Sequence, residues 1–405
     1  MSGSDRHQPR RHDHPLLRAA LIALVVAAAL FALSAVVQAD GLVLQVQITQ
    51  TWFAALLGAL VLVALVALLL SRRRVARVSA GLGLVVTLLL VVAAAVNVHF
   101  DYYRTLGQAV GAPPSDQVTL EAMLREDADP GPGVVAPVTI PTPSSGFAAR
   151  PAMIYVPQAF FAKPRPQLPV IVLLHGTPGT PQDWIDGGRA DQTADAFADA
   201  HGGVAPILVM PDVNGSTTAD TECVDGPAGN AETYLTRDVP DFVLSTFTPR
   251  PPGSAWAVAG LSEGGSCAVM LALRHPTMFH TFGDYAGLEG PRSGDTNAGV
   301  ADTVAQLFAG SQQAFDAHEP ATILRSTRFP ALGGWFEVGT ADVDPAQAQA
   351  GLVPAARAAG IATCSVLVPG GGHTFDVFAA AFEGSLPWMA SRLGIPTTAP
   401  ACPQQ

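Results

Sequence analysis

Charge is scarce in this sequence, because Asp, Glu, Lys and Arg make up 14% of the 405 residues and hydrophobic residues make up 49%. Three long stretches, residues 19–37, 52–70 and 78–98, contain no charged residue at all. Each is close to the roughly 20 apolar residues that a helix needs to cross a bilayer. Their length and uniform apolarity argue against buried core helices of a soluble domain. Residues 1–103 are therefore predicted to form a membrane region with three transmembrane helices.

Lysine and arginine are absent from residues 38–51, the loop after the first predicted span. Arginines instead precede that span and fill the loop between the second and third spans. Because positively charged loops stay in the cytoplasm, everything after residue 98 is predicted to lie outside it, in a multi-pass arrangement. The motif "VVQAD" at residues 36–40 also fits a signal-peptide cleavage site, an alternative that leaves the C-terminal part outside as well.

Basic charge is also scarce in this outer part. After Arg104 there are 13 of the 22 basic and 29 of the 33 acidic residues, a net charge of −16. Such acidity excludes binding of nucleic acid or anionic lipid headgroups through bulk charge. It is typical of a solvated surface and identifies neither a partner nor an oligomeric state.

Cysteine is rare, and no Cys-x-x-Cys motif is present, which argues against a zinc site. We predict no metal and no cofactor. The four cysteines all fall in the outer part, where an even count in an oxidising compartment indicates two disulfides. Three pairings are open, and four unpaired buried thiols are the alternative. We favour Cys223 with Cys267 and Cys364 with Cys402, since the second pair would tie the C-terminal tail to a strand.

Two regions follow the membrane region. Residues 104–143 are rich in Pro and Gly, including "DADPGPG", and are predicted to be an extended linker outside the membrane. Residues 144–405 contain no internal repeat, and short apolar strands alternate there with helical stretches. Such alternation predicts an α/β domain with a mainly parallel sheet and helices on both faces. The seven predicted strands lie in "AMIYVP", "LPVIVLLHG", "APILVMPD", "AWAVAG", "HTFGDYAG", "GWFEVGT" and "TCSVLVPG".

A serine between glycines marks the point where a predicted strand becomes a helix, in "SAWAVAGLSEGGSCAVM". Gly260-x-Ser262-x-Gly264 fits a nucleophile elbow, in which the serine occupies a strained turn and the glycines let strand and helix cross closely. The alternative is a glycine-rich turn with an incidental serine. Ser266, one turn further on, is the competing nucleophile. We predict Ser262.

The base and the acid of a catalytic triad should follow the serine in chain order. His373 lies on a glycine-rich loop in "VLVPGGGHTFDVF", directly after the last strand; the alternative is a loop histidine held by backbone contacts. After the penultimate strand, "GWFEVGTADVDPAQ" offers Asp342, with Asp344 and Glu337 nearby. Asp342 is preferred, because Asp344 precedes a proline and resembles a helix cap.

A tetrahedral oxyanion needs two backbone N–H donors, one from the residue after the nucleophile and one from a loop after an early strand. Glu263 would supply the first. In "LLHGTPGTPQDW" Pro178 has no N–H, so Thr177 is predicted to supply the second. The carboxylate of Glu263 would oppose a developing anion unless its side chain turns away.

Several motifs together resemble the esterase family of α/β-hydrolases that includes S-formylglutathione hydrolases, feruloyl esterases, enterochelin esterases and mycobacterial mycolyltransferases. The resemblance covers residues 144–395, and N-termini with several spans are similar to those of actinobacterial members. The motifs that carry it are Gly260-Leu-Ser262-Glu-Gly264-Gly265, "LLHG", "YLTRDVPDF", "GTAD" and "GGHTF".

This resemblance implies an α/β-hydrolase fold with Ser262 as nucleophile, His373 as base and Asp342 as acid. The sequence departs from many members at Glu263, where they have Met or Gln, and at Phe375, where they have Trp. Both departures put the identity of the substrate in question.

The function predicted from these observations is a membrane-anchored, extracytoplasmic serine esterase that hydrolyses carboxylic esters through an acyl-enzyme. Its substrate would be a small-molecule ester or a lipid or sugar ester. One alternative is an acyltransferase that moves the acyl group to a cell-envelope sugar or lipid. Another is a non-catalytic envelope protein that retains the fold, against which the intact Ser-Asp-His order argues.

Overall fold

A computed structural model describes residues 48, 51–70, 73–113, 117–125, 131–397 and 402. The first predicted span, residues 19–37, and the "VVQAD" motif lie outside the described residues. The chain is described from two apolar helices, α1 (Thr51–Leu70) and α2 (Arg74–Phe100), onward.

These two helices coincide with the second and third predicted spans, but they differ in length. Among the described residues, α2 is the one helix long and apolar enough to cross a membrane, whereas the apolar stretch Leu57–Leu70 of α1 is shorter. Three transmembrane helices are thus not established. Leu69 is 74% exposed and Val75 78% exposed, and large apolar side chains are exposed along both helices. A helix that is apolar on all sides needs an apolar environment, so the pair is compatible with a membrane anchor.

The strands of the outer part form one eight-stranded sheet and one hairpin. They are β1 (Val134–Val138), β2 (Ala152–Val156), β3 (Val170–Leu174), β4 (Ile207–Met210), β5 (Asp225–Gly226), β6 (Gly229–Asn230), β7 (Gly253–Leu261), β8 (Phe279–Tyr285), β9 (Gly333–Gly339) and β10 (Ala362–Val368). The sheet lies at the centre and has the order β1-β2-β4-β3-β7-β8-β9-β10. The pairs β1–β2 and β2–β4 are antiparallel, and all the others are parallel. A separate two-stranded hairpin consists of β5 and β6. All seven predicted strands are present.

Helices cover both faces of the sheet, as the alternating pattern predicts. The described helices after α2 are α3 (Leu106–Ala109), α4 (Leu120–Leu124), α5 (Asp183–Asp186), α6 (Ala190–Ala200), α7 (Ala231–Thr233), α8 (Val239–Phe247), α9 (Glu263–Arg274), α10 (Val300–Leu307), α11 (Gln312–His318), α12 (Pro320–Ser326), α13 (Val343–Ala358) and α14 (Phe375–Arg392). A 3-10 turn spans Gln158–Phe161, and a π-helical turn, Tyr234–Asp238, joins α7 to α8. Helices α8, α9 and α13 pack into one apolar core, and α6 and α14 pack into a second core.

Residues 104–143, predicted to form an extended linker, contain helices α3 and α4 and strand β1. Residues 134–138 form β1, which pairs with β2 and buries Val135 and Val138. Met123 of α4 is buried in the same domain. The α/β domain therefore begins well before residue 144, because the apolar residues between the proline-rich stretches complete the sheet.

Both favoured disulfides are present in the structure. Cys223 is bonded to Cys267 of α9, and Cys364 of β10 is bonded to Cys402. The second bond ties the C-terminal tail to the sheet, which is the reason that favoured this pairing.

Candidate active site

Ser262 lies between the end of β7 and the start of α9, with backbone angles φ 56° and ψ −126°. This positive φ is unusual for a residue other than glycine and is typical of the strained turn of a nucleophile elbow. Steric crowding explains why glycine flanks the serine at positions 260 and 264. A Cβ atom on Gly260 would lie 2.1 Å from the carbonyl oxygen of Gly264, and one on Gly264 would lie 2.2 Å from that of Leu174. Side chains at either position would push the strands and helix apart.

The three predicted triad residues form one hydrogen-bonded chain. The Nε2 atom of His373 lies 2.9 Å from Oγ of Ser262, and its Nδ1 atom lies 2.5 Å from Oδ2 of Asp342. The His373 side chain is 41% exposed, so substrate can reach it, whereas Asp342 is 11% exposed. This geometry allows His373 to accept a proton from the serine while the carboxylate orients the imidazole.

The competing residues lie elsewhere. Asp344 is in the first turn of α13 and accepts a hydrogen bond from the backbone N–H of Asn297 at 3.1 Å. It is not the helix cap expected from the sequence, because Asp342 itself occupies the N-cap position of α13. Glu337 is buried and accepts from the indole N–H of Trp335.

Ser266 is buried on the far side of the elbow. Its Oγ accepts a hydrogen bond from the backbone N–H of Leu288 at 2.8 Å, and 1% of the residue is exposed. It is therefore less accessible than Ser262 as a nucleophile.

The two predicted oxyanion donors flank the nucleophile. Glu263 is the first residue of α9, so no carbonyl of its own helix can accept its backbone N–H. The β3 loop approaches from the other side, because a Cβ atom on Gly176 would lie 2.8 Å from Cβ of Ser262. Thr177 follows directly and lines the same cavity as Ser262. The arrangement thus brings the start of α9 and the loop that contains Thr177 next to the serine.

The buried Glu263 carboxyl group contacts the loop after β3 that contains Thr177, which we call the oxyanion loop. Its Oε2 accepts from the Thr177 hydroxyl and, at 2.7 Å, from Nδ2 of Asn214. Its Oε1 accepts from the backbone N–H of Glu222 at 3.1 Å. Burial raises the pKa of Glu263 to about 7, which reduces the charge opposing an oxyanion at neutral pH. The carboxyl group thus holds Thr177 and residues 214–222 in place.

Sequence reasoning missed Asn214 and Glu222. Both lie in a long connection after β4, where Asn and acidic residues resemble ordinary turn residues, so no local signal could find them. The connection is fixed by the disulfide at Cys223, the residue after Glu222. It is also fixed by the buried His175, whose Nε2 accepts from the backbone N–H of Val213 at 3.2 Å.

Within the described part of the chain, one cluster has the spacing of metal ligands: Cys223, Glu263 and Cys267. The two sulfur atoms are joined in a disulfide, which removes the thiolates that would bind a metal. The cluster therefore does not fit a metal site.

A cavity of about 940 Å³ opens at Ser262 and His373. It is lined by residues of the α/β domain, such as Leu261 and Phe378, and also by residues of α1 and α2. Phe375, where the sequence departs from many esterase relatives, is part of this lining.

Comparison with known families gives the class of the protein. The sequence model of the family described as "Putative esterase" matches residues 148–389, more than half of the chain. The chain belongs to this family. Membership supports an enzyme that acts on esters. The matched residues include Ser262, Asp342 and His373.

Two related proteins differ in how much they share with this esterase-family chain. An uncharacterised protein of Corynebacterium glutamicum is 34% identical over 318 residues, which cover 75% of this chain and 74% of that protein. Diacylglycerol acyltransferase/mycolyltransferase Ag85A of Mycobacterium leprae is 32% identical over 124 residues, which cover 28% of this chain and 36% of that protein. The second match spans little more than a third of the relative.

Solved structures resemble the esterase domain in fold. A ferulic acid esterase superposes with a TM-score of 0.55 at 19% identity, covering 64% of this chain and 98% of its own. The fluorophosphonate-binding serine hydrolase F of Staphylococcus aureus superposes with a TM-score of 0.52 at 17% identity. The superposition covers 64% of this chain and 99% of the hydrolase. At these identities the likeness shows the fold alone, and it confirms the predicted α/β-hydrolase architecture.

Proposed function

We propose that the protein is a membrane-anchored serine esterase that hydrolyses a carboxylic ester outside the cytoplasm. The observation that carries this proposal is the hydrogen-bonded chain from Asp342 through His373 to Ser262, at the mouth of an apolar cavity. Membership of an esterase family supports the reaction class.

The reaction follows from the geometry of these groups. Oγ of Ser262 attacks the ester carbonyl carbon as Nε2 of His373 takes its proton, and the oxyanion accepts from the N–H groups of Thr177 and Glu263. The ester C–O bond then breaks, and the leaving alcohol takes the proton from His373. Water attacks the acyl-enzyme, loses a proton to His373, and releases the acid while the serine regains its proton. Asp342 keeps a hydrogen on Nδ1 throughout.

The extracytoplasmic location rests on two independent features. Two disulfides fit an oxidising compartment. The arginine-rich segment at residues 72–77, which includes the first turn of α2, fits a cytoplasmic position, and the end of α2 and the esterase domain would then lie on the opposite side.

Acyl transfer is the second candidate, and one observation favours it. A quarter of the chain is 32% identical to a part of a relative named diacylglycerol acyltransferase/mycolyltransferase. In that reaction a sugar or lipid hydroxyl group replaces water in the attack on the acyl-enzyme. The non-catalytic alternative is disfavoured because all three triad side chains are held in contact.

Product analysis tests the proposal. The full chain in detergent would be incubated with 4-nitrophenyl esters, with and without glucose or a disaccharide, and the products identified by mass spectrometry. Free acid in every sample indicates hydrolysis, and an acylated sugar indicates transfer. Product formation should vanish in Ser262→Ala and persist in Ser266→Ala. Equal rates in wild type and Ser262→Ala would contradict the proposal.

A further inference from the structure

The cavity at Ser262 continues along the apolar helices. From α2 it is lined by Leu90, Ala93, Ala94, Val96, Asn97 and Phe100, which at about 100° per residue lie within roughly half of the helix circumference. Leu90 and Asn97 are seven residues apart, a distance of about 10 Å along the helix axis. The cavity is thus elongated, and one of its sides belongs to a helix that is long and apolar enough to span a membrane.

Polar groups are concentrated at the catalytic end of the cavity. Ser262, His373, Thr177 and Asp183 line that end, whereas α1 contributes the apolar Phe53 and other apolar side chains. Asn97 is the polar exception on α2. Its amide group is occupied, because Nδ2 donates to the carbonyl oxygen of residue 103 at 2.6 Å and Oδ1 accepts from the backbone N–H of that residue at 2.8 Å.

The end of α2 is attached directly to the active-site loops. The Tyr102 hydroxyl donates to Oδ1 of Asp183 at 2.6 Å, and its ring packs edge-on against Phe375 with centroids 4.8 Å apart. Nε2 of Gln108 donates to the carbonyl oxygen of Asp186 at 3.3 Å. Burial, reinforced by Asp183, raises the pKa of Tyr102, so the hydroxyl keeps its proton and remains a donor. The contacts fix the helix against the site.

We infer that this cavity binds the acyl chain of a long-chain lipid ester, with α2 as one wall of the acyl site. The inference rests on the proposed function and adds the substrate class to it. The ester carbonyl lies at Ser262, and the chain lies along the face of α2 that contains Ala94. An apolar chain matches this lining, which offers no charged partner beyond the catalytic end. The volume is near the upper end of the roughly 300–1,000 Å³ of small-molecule sites, so a short acyl group leaves most of it unfilled.

The supply of substrate follows from the same placement. Helix α2 forms one wall of the acyl site, and apolar side chains are exposed on its other faces. The substrate is therefore a lipid that reaches Ser262 from the bilayer. The chemistry is that of the proposed esterase: the acyl–oxygen bond of the lipid breaks, and the acyl group passes through Ser262 to water or to an acceptor hydroxyl.

Two alanines on α2 provide a matched test. Ala94 lines the cavity, whereas Ala95, one residue on and about 100° around the helix, does not line it. The full chain would be reconstituted in phosphatidylcholine vesicles and assayed with 4-nitrophenyl palmitate and 4-nitrophenyl acetate. We expect Ala94→Phe to lower the palmitate-to-acetate ratio of kcat/KM by about tenfold or more, because its ring fills the acyl site. Ala95→Phe should leave the ratio at the wild-type value.

The outcomes separate this inference from the proposed function. Turnover of acetate with an unchanged palmitate-to-acetate ratio in Ala94→Phe would overturn the acyl site while leaving the esterase intact. A wild-type enzyme that prefers acetate over palmitate in vesicles would overturn it as well. Absence of Ser262-dependent turnover of both esters would overturn the proposed function and the inference together.

Discussion

The disulfide between Cys223 and Cys267 should affect both stability and catalysis, and the second disulfide provides a control. The first bond joins residues 44 apart in sequence and the second joins residues 38 apart. Loop closure in the unfolded chain then contributes about 4 kcal/mol for each bond, because the contribution depends only weakly on loop length. For a domain of this size, with an unfolding entropy of about 0.6 kcal/mol/K, such a loss corresponds to a fall in Tm of about 7 °C.

The consequence for catalysis should differ between the two bonds. Cys223 follows Glu222, whose backbone N–H donates to the Glu263 carboxyl group, and Cys267 is one turn along α9 from Glu263. Without this bond the segment between β4 and Cys223 is no longer attached covalently to α9. The hydrogen bonds through which Glu263 and Asn214 hold Thr177 then loosen. Misplacing an oxyanion donor by about 1 Å costs roughly 10²-fold in rate.

The assay compares Cys223→Ala/Cys267→Ala with Cys364→Ala/Cys402→Ala. Both should lower Tm by up to about 7 °C in calorimetry. At 25 °C, where both remain folded, only the first should lose most of its kcat/KM for a short-chain 4-nitrophenyl ester. Near-normal kcat/KM in the first variant, or an equal loss in both, would refute the idea that this bond positions the oxyanion loop.

Three further predictions concern the site and its support. Asp342→Asn should lower kcat by about 10⁴-fold because the amide cannot stabilise the imidazolium, whereas Asp344→Asn should cost little; steady-state kinetics showing similar losses in the two variants would contradict the assignment of the acid. Burial raises the pKa of Glu263 from 4.5 to about 7, so the folded state binds a proton that the unfolded state releases in this range. The free energy of unfolding should therefore fall as pH rises from 4.5 to 7, by up to about 1.4 kcal/mol per pH unit from this group. Glu263→Gln should make that fall less steep in urea titrations at several pH values, and an unchanged slope would argue against a raised pKa. Gly264→Ala should abolish activity because its Cβ would lie 2.2 Å from a backbone carbonyl oxygen of β3, whereas Gly351→Ala, with no atom within 4 Å, should remain active; an active, folded Gly264→Ala enzyme would show that the elbow tolerates the side chain.

The parts of the fold with strong local signals were predictable. Strand β3 is a run of five buried apolar residues, and β7 ends at Leu261, directly before the glycine-flanked Ser262. The chain order of serine, acid and histidine, each on a loop after a strand, was enough to select the three side chains that the structure brings together.

Strand β1 was missed for a physical reason. It contains Pro137 and lies between proline-rich stretches, which argue against a strand in the centre of a sheet. β1 is, however, the edge strand of this sheet, where a missing N–H is tolerated. Sequence pattern alone does not say which strand will be at the edge.

Contacts between distant segments could not be predicted. Asn214 reaches Glu263 across 49 residues, and Tyr102 reaches Asp183 across 81 residues. Neither pair has a periodic or motif signal, because tertiary packing alone brings the residues together. The elongated cavity escaped prediction for the same reason, since its two sides come from different parts of the chain.

The central claim is that Ser262 is the nucleophile. The most direct measurement treats the full chain with a fluorophosphonate and locates the modified residue by tandem mass spectrometry of proteolytic peptides. The account predicts a single adduct on Ser262, lost in Ser262→Ala and retained in Ser266→Ala. An adduct on Ser266, or equal labelling of wild type and Ser262→Ala, would contradict it.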